Sequence, residues 1–269
     1  MTPERPHIVK EGHFVHRGAR LVFDDAGEGP LTVYAHGGFV SQAVEDRMGL
    51  FDWAPVLRAG RRLVRYDARA HGRSTGGPSP SEYTYASLAD DLLALLDHLG
   101  AGRAVDAMGA SMGCGSVLHA AVREPERFSR LVMLIPPTAW TTREAYARAN
   151  RSAAERVTRE GLDAWLAGRR RQPPAVVSDV PQFPPTPAEA VLPAVLRGLA
   201  RSDLPSPAEI AGLRLPTLIL AWVDDAGHPL STARTLADLL PGAALHVSET
   251  RADVRTWGER IADFLVAPP

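Results

Sequence analysis

Short apolar runs alternate with longer amphipathic stretches along most of this chain. His13 to Val22 alternates apolar and polar residues around Gly18, which predicts a β-hairpin. Asp25 to Pro30 is a loop. Leu31 to Ala35 is a short, mostly apolar run of the kind buried on both faces of a parallel sheet. Ser41 to Leu57 has helical periodicity and stops at Gly60. Arg62 to Tyr66 is the next strand. Tyr83 to Leu99 carries Leu88, Leu92, Leu95, Leu96 and Leu99 on one helical face and is stopped by Gly100. A largely apolar run from Arg103 to Met108 predicts a strand, and the helix after it runs from Cys114 through Val122 to Phe128. Leu131 to Leu134 is a further strand, broken at Pro136-Pro137.

From Trp140 to about Pro205 the pattern becomes helical and proline-rich, with no strand of its own. Thr217 to Val223 returns as a strand. Ser231 to Leu240 is a helix, Leu245 to Ser248 a last strand and Val254 to Val266 a last helix. The expected fold class is therefore α/β: a mostly parallel, doubly wound sheet of about eight strands with an inserted helical lid. Residues 1–138 and 206–269 would form the core and 139–205 the lid. In open α/β sheets chemistry gathers at the carboxyl ends of the strands. His36, Asp67, Ser111 and the Asp224-Asp225 pair all fall at such ends.

Composition narrows the partners more than the fold. The 269 residues are 45% hydrophobic and 23% charged, ordinary for a globular domain of this size. A net charge of −1 gives no electrostatic reason to expect nucleic acid or an anionic membrane. Lys10 is the only lysine among 30 basic residues, a bias that fits a GC-rich bacterial genome better than a binding device. The run Arg169-Arg170-Arg171 is too short for a basic tract and is expected to be a solvated helix end. Cys114 is the only cysteine, so neither an internal disulfide nor a cysteine-based metal cluster is available. The first residues lack a signal-peptide core and no run reaches membrane-spanning length, so a cytoplasmic protein is expected. Its expected partner is a small-molecule substrate, with no cofactor, metal, nucleic acid or membrane; a homodimer stays open.

The chemistry-bearing stretch is Gly109-Ala110-Ser111-Met112-Gly113, between a predicted strand and a predicted helix. A G-x-S-x-G turn in that context is a nucleophile elbow, whose glycines remove side chains that would clash in a sharp bend. With it stand His36-Gly37-Gly38 after the third strand, the D-x-R-x-H-G-x-S run from Asp67 to Ser74, and Asp225 followed by Pro229 after the penultimate strand. Together, from Leu21 to Val266, these resemble the α/β-hydrolase fold superfamily. The resemblance implies Ser111 as nucleophile, with the Met112 N–H as one oxyanion donor and the N–H of Gly38 or Phe39 as the other. It also implies an acid four residues before the proline, which selects Asp225 over its neighbour Asp224.

One part of the pattern is absent. The superfamily's base normally follows the last strand, yet Ser248 to Asp253 contains no histidine, and neither a carboxylate nor an arginine replaces an imidazole easily. Of the nine histidines, His36 and His71 lie in turns that are usually structural. His98 and His119 lie on helices, His246 within a strand with its side chain toward the core, and His7, His13 and His16 near the N-terminus. His228 shares a loop with Asp225 and is the candidate base, Asp225 orienting it; the alternative is a site with no working triad.

The first expected function is hydrolysis of a small, mainly apolar ester, thioester or lactone through an acyl-enzyme on Ser111. The apolar lid residues Trp140, Trp165, Val191 and Leu196 favour such a substrate. The alternative keeps the fold but drops hydrolysis, as a lyase, isomerase, cyclase or cofactor-free oxygenase of secondary metabolism, or as a ligand-binding pseudo-hydrolase.

Overall fold

The structure, a computed structural model, describes residues 9–168 and 174–268. His7, Pro173 and the Arg169–Arg171 run lie outside the described residues.

Eight strands form one sheet in the order β1-β2-β4-β3-β5-β6-β7-β8. β1 (Val9–His16) and β2 (Ala19–Ala26) make the predicted hairpin, and β2 also pairs antiparallel with β4 (Arg62–Tyr66). From β4 onward every pairing is parallel, through β3 (Leu31–Ala35), β5 (Val105–Ala110), β6 (Phe128–Leu134), β7 (Thr217–Trp222) and β8 (Ala244–Ser248). Their apolar runs divide by alternation. Val33, Val64, Ala107, Leu131 and Ile219 face one core, and Tyr34, Leu63, Met108, Val132 and Leu220 face the other. On the first face lie α3 (Tyr85–His98), α4 (Met112–Arg123) and α9 (Leu230–Leu239). On the second lie α2 (Ala54–Arg58) and α11 (Trp257–Val266), whose Trp257, Ile261 and Leu265 are buried.

Three predicted helix bounds change. The stretch from Ser41 splits into α1 (Gln42–Met48) and α2, because Gly49 caps α1 in the left-handed region at φ 59°. The C-terminal helix is α10 (Arg251–Val254) followed by α11, broken at Arg255 and Thr256. Phe128 belongs to β6 rather than to the end of α4. Strand order places the chemistry: β3 leads toward β4 on one side, and β5 leads toward β6 on the other. The loops after β3 and β5 therefore diverge and open a crevice at the strand ends.

Between β6 and β7 the chain makes one long helical excursion, through α5 (Arg143–Glu160), α6 (Leu162–Gly168), a short turn at Ala175–Val177 and α7 (Leu192–Ala200). It contains no strand among the described residues. It leaves and rejoins the core at one joint: the Trp140 backbone N–H donates to Asp203 Oδ1 at 2.9 Å and the Trp140 indole to the Pro205 carbonyl at 3.0 Å. The buried Arg143 donates to the carbonyls of Thr138, Leu199 and Ser202, spanning both ends of the excursion. α8 (Pro207–Ala211) then leads into β7.

Candidate active site

Ser111 sits at the apex between β5 and α4 with φ 50° and ψ −111°, a conformation a side-chain-bearing residue holds only where its surroundings enforce it. The enforcement is visible at both glycines. A Cβ on Gly109 would stand 2.4 Å from the Gly113 carbonyl oxygen, and one on Gly113 only 2.0 Å from that of Ala35. The Ser111 N–H donates to the Leu134 carbonyl at 3.0 Å, fixing the turn to β6. Cys114 is buried beneath it, its thiol on the carbonyls of Gly109 and Leu134, and burial pushes that thiol's pKa up.

The loop after β7 supplies the partners of the serine. Asp224 is exposed, with φ 60°, and serves the turn. Asp225 points inward and makes three hydrogen bonds. Its Oδ1 accepts from the Gly227 N–H at 2.8 Å, and its Oδ2 from the Trp222 indole at 2.9 Å and from His228 Nδ1 at 2.7 Å. Burial alone would raise the Asp225 pKa, but the hydrogen bond and charge of His228, with the other two donors, outweigh it and hold the carboxyl well below the usual range. An ionised Oδ2 can only accept, so Nδ1 carries the imidazole proton and Nε2 is left as an acceptor. That Nε2 lies 2.7 Å from Ser111 Oγ.

Six of the remaining histidines have other occupations. His36 Nε2 accepts the Ala68 N–H at 2.9 Å, so its Nδ1–H donates to the Gly37 carbonyl at 2.7 Å. His71 Nε2 accepts the Phe39 N–H at 3.2 Å and its Nδ1 donates to the Arg69 carbonyl at 2.8 Å. Burial lowers the pKa of both and, with the neighbouring His36, brings His71 to about 3, so neither imidazole is charged and neither has a free nitrogen. His119 Nε2 pairs with the Asp203 carbonyl, His98 stacks on Phe14, and His16 meets Asp91. His246 turns to Asp253 at 2.9 Å rather than into the core. In the turn where a histidine is absent, Ser248 Oγ accepts the Trp257 indole N–H and Thr250 caps α10.

The engagement of the Phe39 N–H by His71 corrects the expectation that Phe39 is an oxyanion donor. The orientation of the Gly38 N–H is set from behind. A trans peptide points its C=O and N–H in opposite directions. With the Gly37 carbonyl held by His36, the N–H of Gly38 faces away from His36. A Cβ built on Gly38 would lie 3.8 Å from Met112 Cβ, and one on Gly37 3.7 Å from Ser111 Cβ, so these backbones flank the serine. Among the described residues the N–H groups of Gly38 and Met112 have no hydrogen-bond partner. The apolar boundary comes from Phe39, whose ring lies 6.0 Å from that of Trp165 on α6, and from Leu199 on α7, 3.7 Å from the built Gly38 Cβ. Sequence reasoning missed Trp222, Gly227 and the orienting role of His36. The only local signal for Trp222 was its place three residues before Asp225.

Known proteins share this architecture. The family model described as alpha/beta hydrolase fold matches residues 33–250. A protein named putative carbamate hydrolase RutD from Variovorax paradoxus (strain S110) is 28% identical over 265 residues, covering 88% of this chain and 96% of its own length. The protein of the same name from Caulobacter sp. (strain K31) is 28% identical over 223 residues, 77% of each chain. Among solved structures, a hydrolase from Pseudomonas aeruginosa PA01 superposes with a TM-score of 0.79 at 23% identity, covering 96% of this chain and 98% of its own. The enol-lactonase from Burkholderia xenovorans LB400 superposes with a TM-score of 0.73 at 24% identity, over 95% and 100%. With the family match spanning most of the chain, from inside β3 to the turn after β8, the protein belongs to the α/β-hydrolase fold family.

Proposed function

We propose that the protein is a serine hydrolase of small, mainly apolar carboxylic esters, thioesters or lactones, with Ser111, His228 and Asp225 as its catalytic residues. The observation that carries this reading is the continuous chain of hydrogen bonds from Ser111 Oγ through His228 to Asp225 Oδ2, 2.7 Å at each link. In it His228 Nε2 takes the hydroxyl proton as Oγ bonds to the substrate carbonyl carbon. The carbonyl oxygen becomes an oxyanion between the N–H groups of Gly38 and Met112. The imidazolium, steadied by ionised Asp225, then gives its proton to the departing alkoxide, and the ester C–O bond breaks. Water, deprotonated by the same nitrogen, releases the acid and regenerates Ser111.

Phe39, Trp165 and Leu199 support an apolar acyl group, and residues 139–205 act in this reading as the cap that holds them. Sequence relatives are named putative carbamate hydrolase, and solved structures of similar fold are named enol-lactonase and esterase; these names support a carbonyl electrophile as substrate. The non-hydrolytic alternative draws its support from the lack of a histidine after β8, and an imidazole on Ser111 Oγ removes that support.

The test is intact-mass analysis after fluorophosphonate treatment. Wild type is expected to gain one phosphonyl adduct, Ser111→Ala none, and His228→Ala an adduct at a rate lower by about 10³-fold. Labelling of His228→Ala at the wild-type rate would send the search for a base elsewhere, and an unlabelled wild type would overturn the hydrolase.

A further inference from the structure

Three donors hold the Asp225 carboxylate, and they differ in what they are attached to. Gly227 and His228 ride on the same short loop as Asp225 and move with it. Trp222 does not: it is the last residue of β7, 3% exposed, and donates its indole N–H to Oδ2 at 2.9 Å. Thr138 also ties the loop to the β6 side, through the Gly227 carbonyl at 3.1 Å, but that bond leaves the carboxylate free to rotate. Among the described residues, Trp222 is therefore the donor that fixes the carboxylate to the sheet.

The indole is fixed in turn. It stacks on Trp257 at 5.6 Å and 17°, and Trp257 stacks on Phe51 at 6.1 Å and 15° while donating its own N–H to Ser248 Oγ. The Trp222 ring also stands edge-on to the His228 imidazole, 6.3 Å between centroids at 88°. One buried side chain thus touches both the acid and the base. We propose that Trp222 is a positioning residue of the catalytic site, its indole N–H setting the rotation of the Asp225 carboxylate and its ring walling the imidazole so that Nε2 stays aimed at Ser111 Oγ. The proposal rests on the catalytic reading above. An indole suits the task because it is a donor only and does not titrate, so it neither takes the proton in transit nor changes its bond during turnover. No bond to the substrate is involved, so the contribution belongs to the chemical step and not to binding.

Trp222→Phe keeps a ring on Trp257 and deletes the donor. With 4-nitrophenyl butyrate as probe, the expected result is a kcat lower by about 10- to 30-fold with KM within about twofold, and fluorophosphonate labelling slowed in parallel. Wild-type kcat and labelling in Trp222→Phe, beside a crippled His228→Ala, would overturn the Trp222 role and leave the triad standing. Wild-type labelling in His228→Ala would remove the triad and the Trp222 role with it. Should Trp222→Phe not fold, the indole ¹H–¹⁵N resonance of Trp222 in otherwise native protein decides. It is expected downfield in wild type and displaced in Asp225→Asn; a resonance unmoved by that substitution overturns the proposal.

Discussion

Three imidazoles near the strand ends, His36, His71 and His228, have both nitrogens engaged, and only His228 has a hydroxyl as partner. The other two order the backbone around the Gly37-Gly38 peptide. Beneath that peptide lies a residue with a sharper electrostatic consequence. Glu45 accepts from the Tyr34 hydroxyl at 3.0 Å and from the Gly37 N–H at 3.4 Å, and its Oε2 is buried with no hydrogen-bond partner among the described residues. Burial raises its pKa to about 8 against the pull of both donors. A carboxyl raised in this way keeps in the folded state a proton that the unfolded chain releases above about pH 4.3. Folding stability therefore falls as pH rises from there to about 8. Glu45→Gln retains both acceptor bonds and does not titrate. Its melting temperature is expected to exceed that of wild type at pH 8 and to differ little at pH 5; equal curves at both pH values would show that Glu45 ionises freely. The sequence carried no hint of this, since Glu45 lies on an ordinary amphipathic helix pattern and only the register of α1 under the β3 loop buries it. That Asp225 and His228 share one loop, by contrast, was legible in the sequence. The choice between Gly38 and Phe39 was not, because it depends on where His71 reaches across the crevice.

At the scale of elements, the strand–turn–helix unit from β5 to α4 is tightly constrained. α4 begins so close to β3 that the Gly113 position has no room for a methyl group beside the Ala35 carbonyl. Gly113→Ala is expected to lower stability by about 3 kcal/mol through forced overpacking, and to slow Ser111 labelling as the elbow shifts. Denaturant unfolding measures the first and the phosphonate adduct the second; an unshifted midpoint would mean that α4 can slide away from β3. Elements such as β3 and β4 were readable to the residue, because a short apolar run bounded by Pro30 or Gly60 has few alternative frames. The helix predicted over 41–57 was read as one because its apolar spacing continues across Gly49. The break depends on Gly49 taking the left-handed cap, which lets the chain turn and bring Phe51 and Trp53 beside Tyr34. Phe128 shows the same limit, since an apolar residue at a boundary fits the pattern of a helix end as well as that of a strand start.

At the scale of the whole molecule, the two ends of the helical excursion are joined by a buried cation. Arg143 has no carboxylate within ion-pairing distance among the described residues and spends its N–H groups on carbonyls at both ends of the excursion. It also lies over the rings of Tyr85 at 5.0 Å and Tyr146 at 4.6 Å. Arg143→Leu takes the side-chain donor from the Thr138 and Ser202 carbonyls, leaves Leu199 only its backbone donors, and is expected to destabilise the protein by about 3 kcal/mol. Limited proteolysis read by mass spectrometry should then cut first within residues 139–205; cuts spread evenly through the sheet would assign Arg143 to general stability instead. Proline content and the absence of strand pattern make the excursion visible in the sequence, whereas its joint is invisible there because it depends on residues about 60 positions apart.

The acid and base proposed here occupy one tetrapeptide, Asp225 to His228, so the proton-handling half of the site is inherited as a single cassette. Elsewhere in such a design the segment after β8 carries no chemical duty. That segment acts instead through support, Trp257 bracing Trp222 while Arg251 and Arg255 pair with Asp179 of the excursion. A graft of those four residues behind a β7 tryptophan, with an aromatic ring after β8 to brace it as Trp257 does here, would carry the acid–base pair into a related sheet.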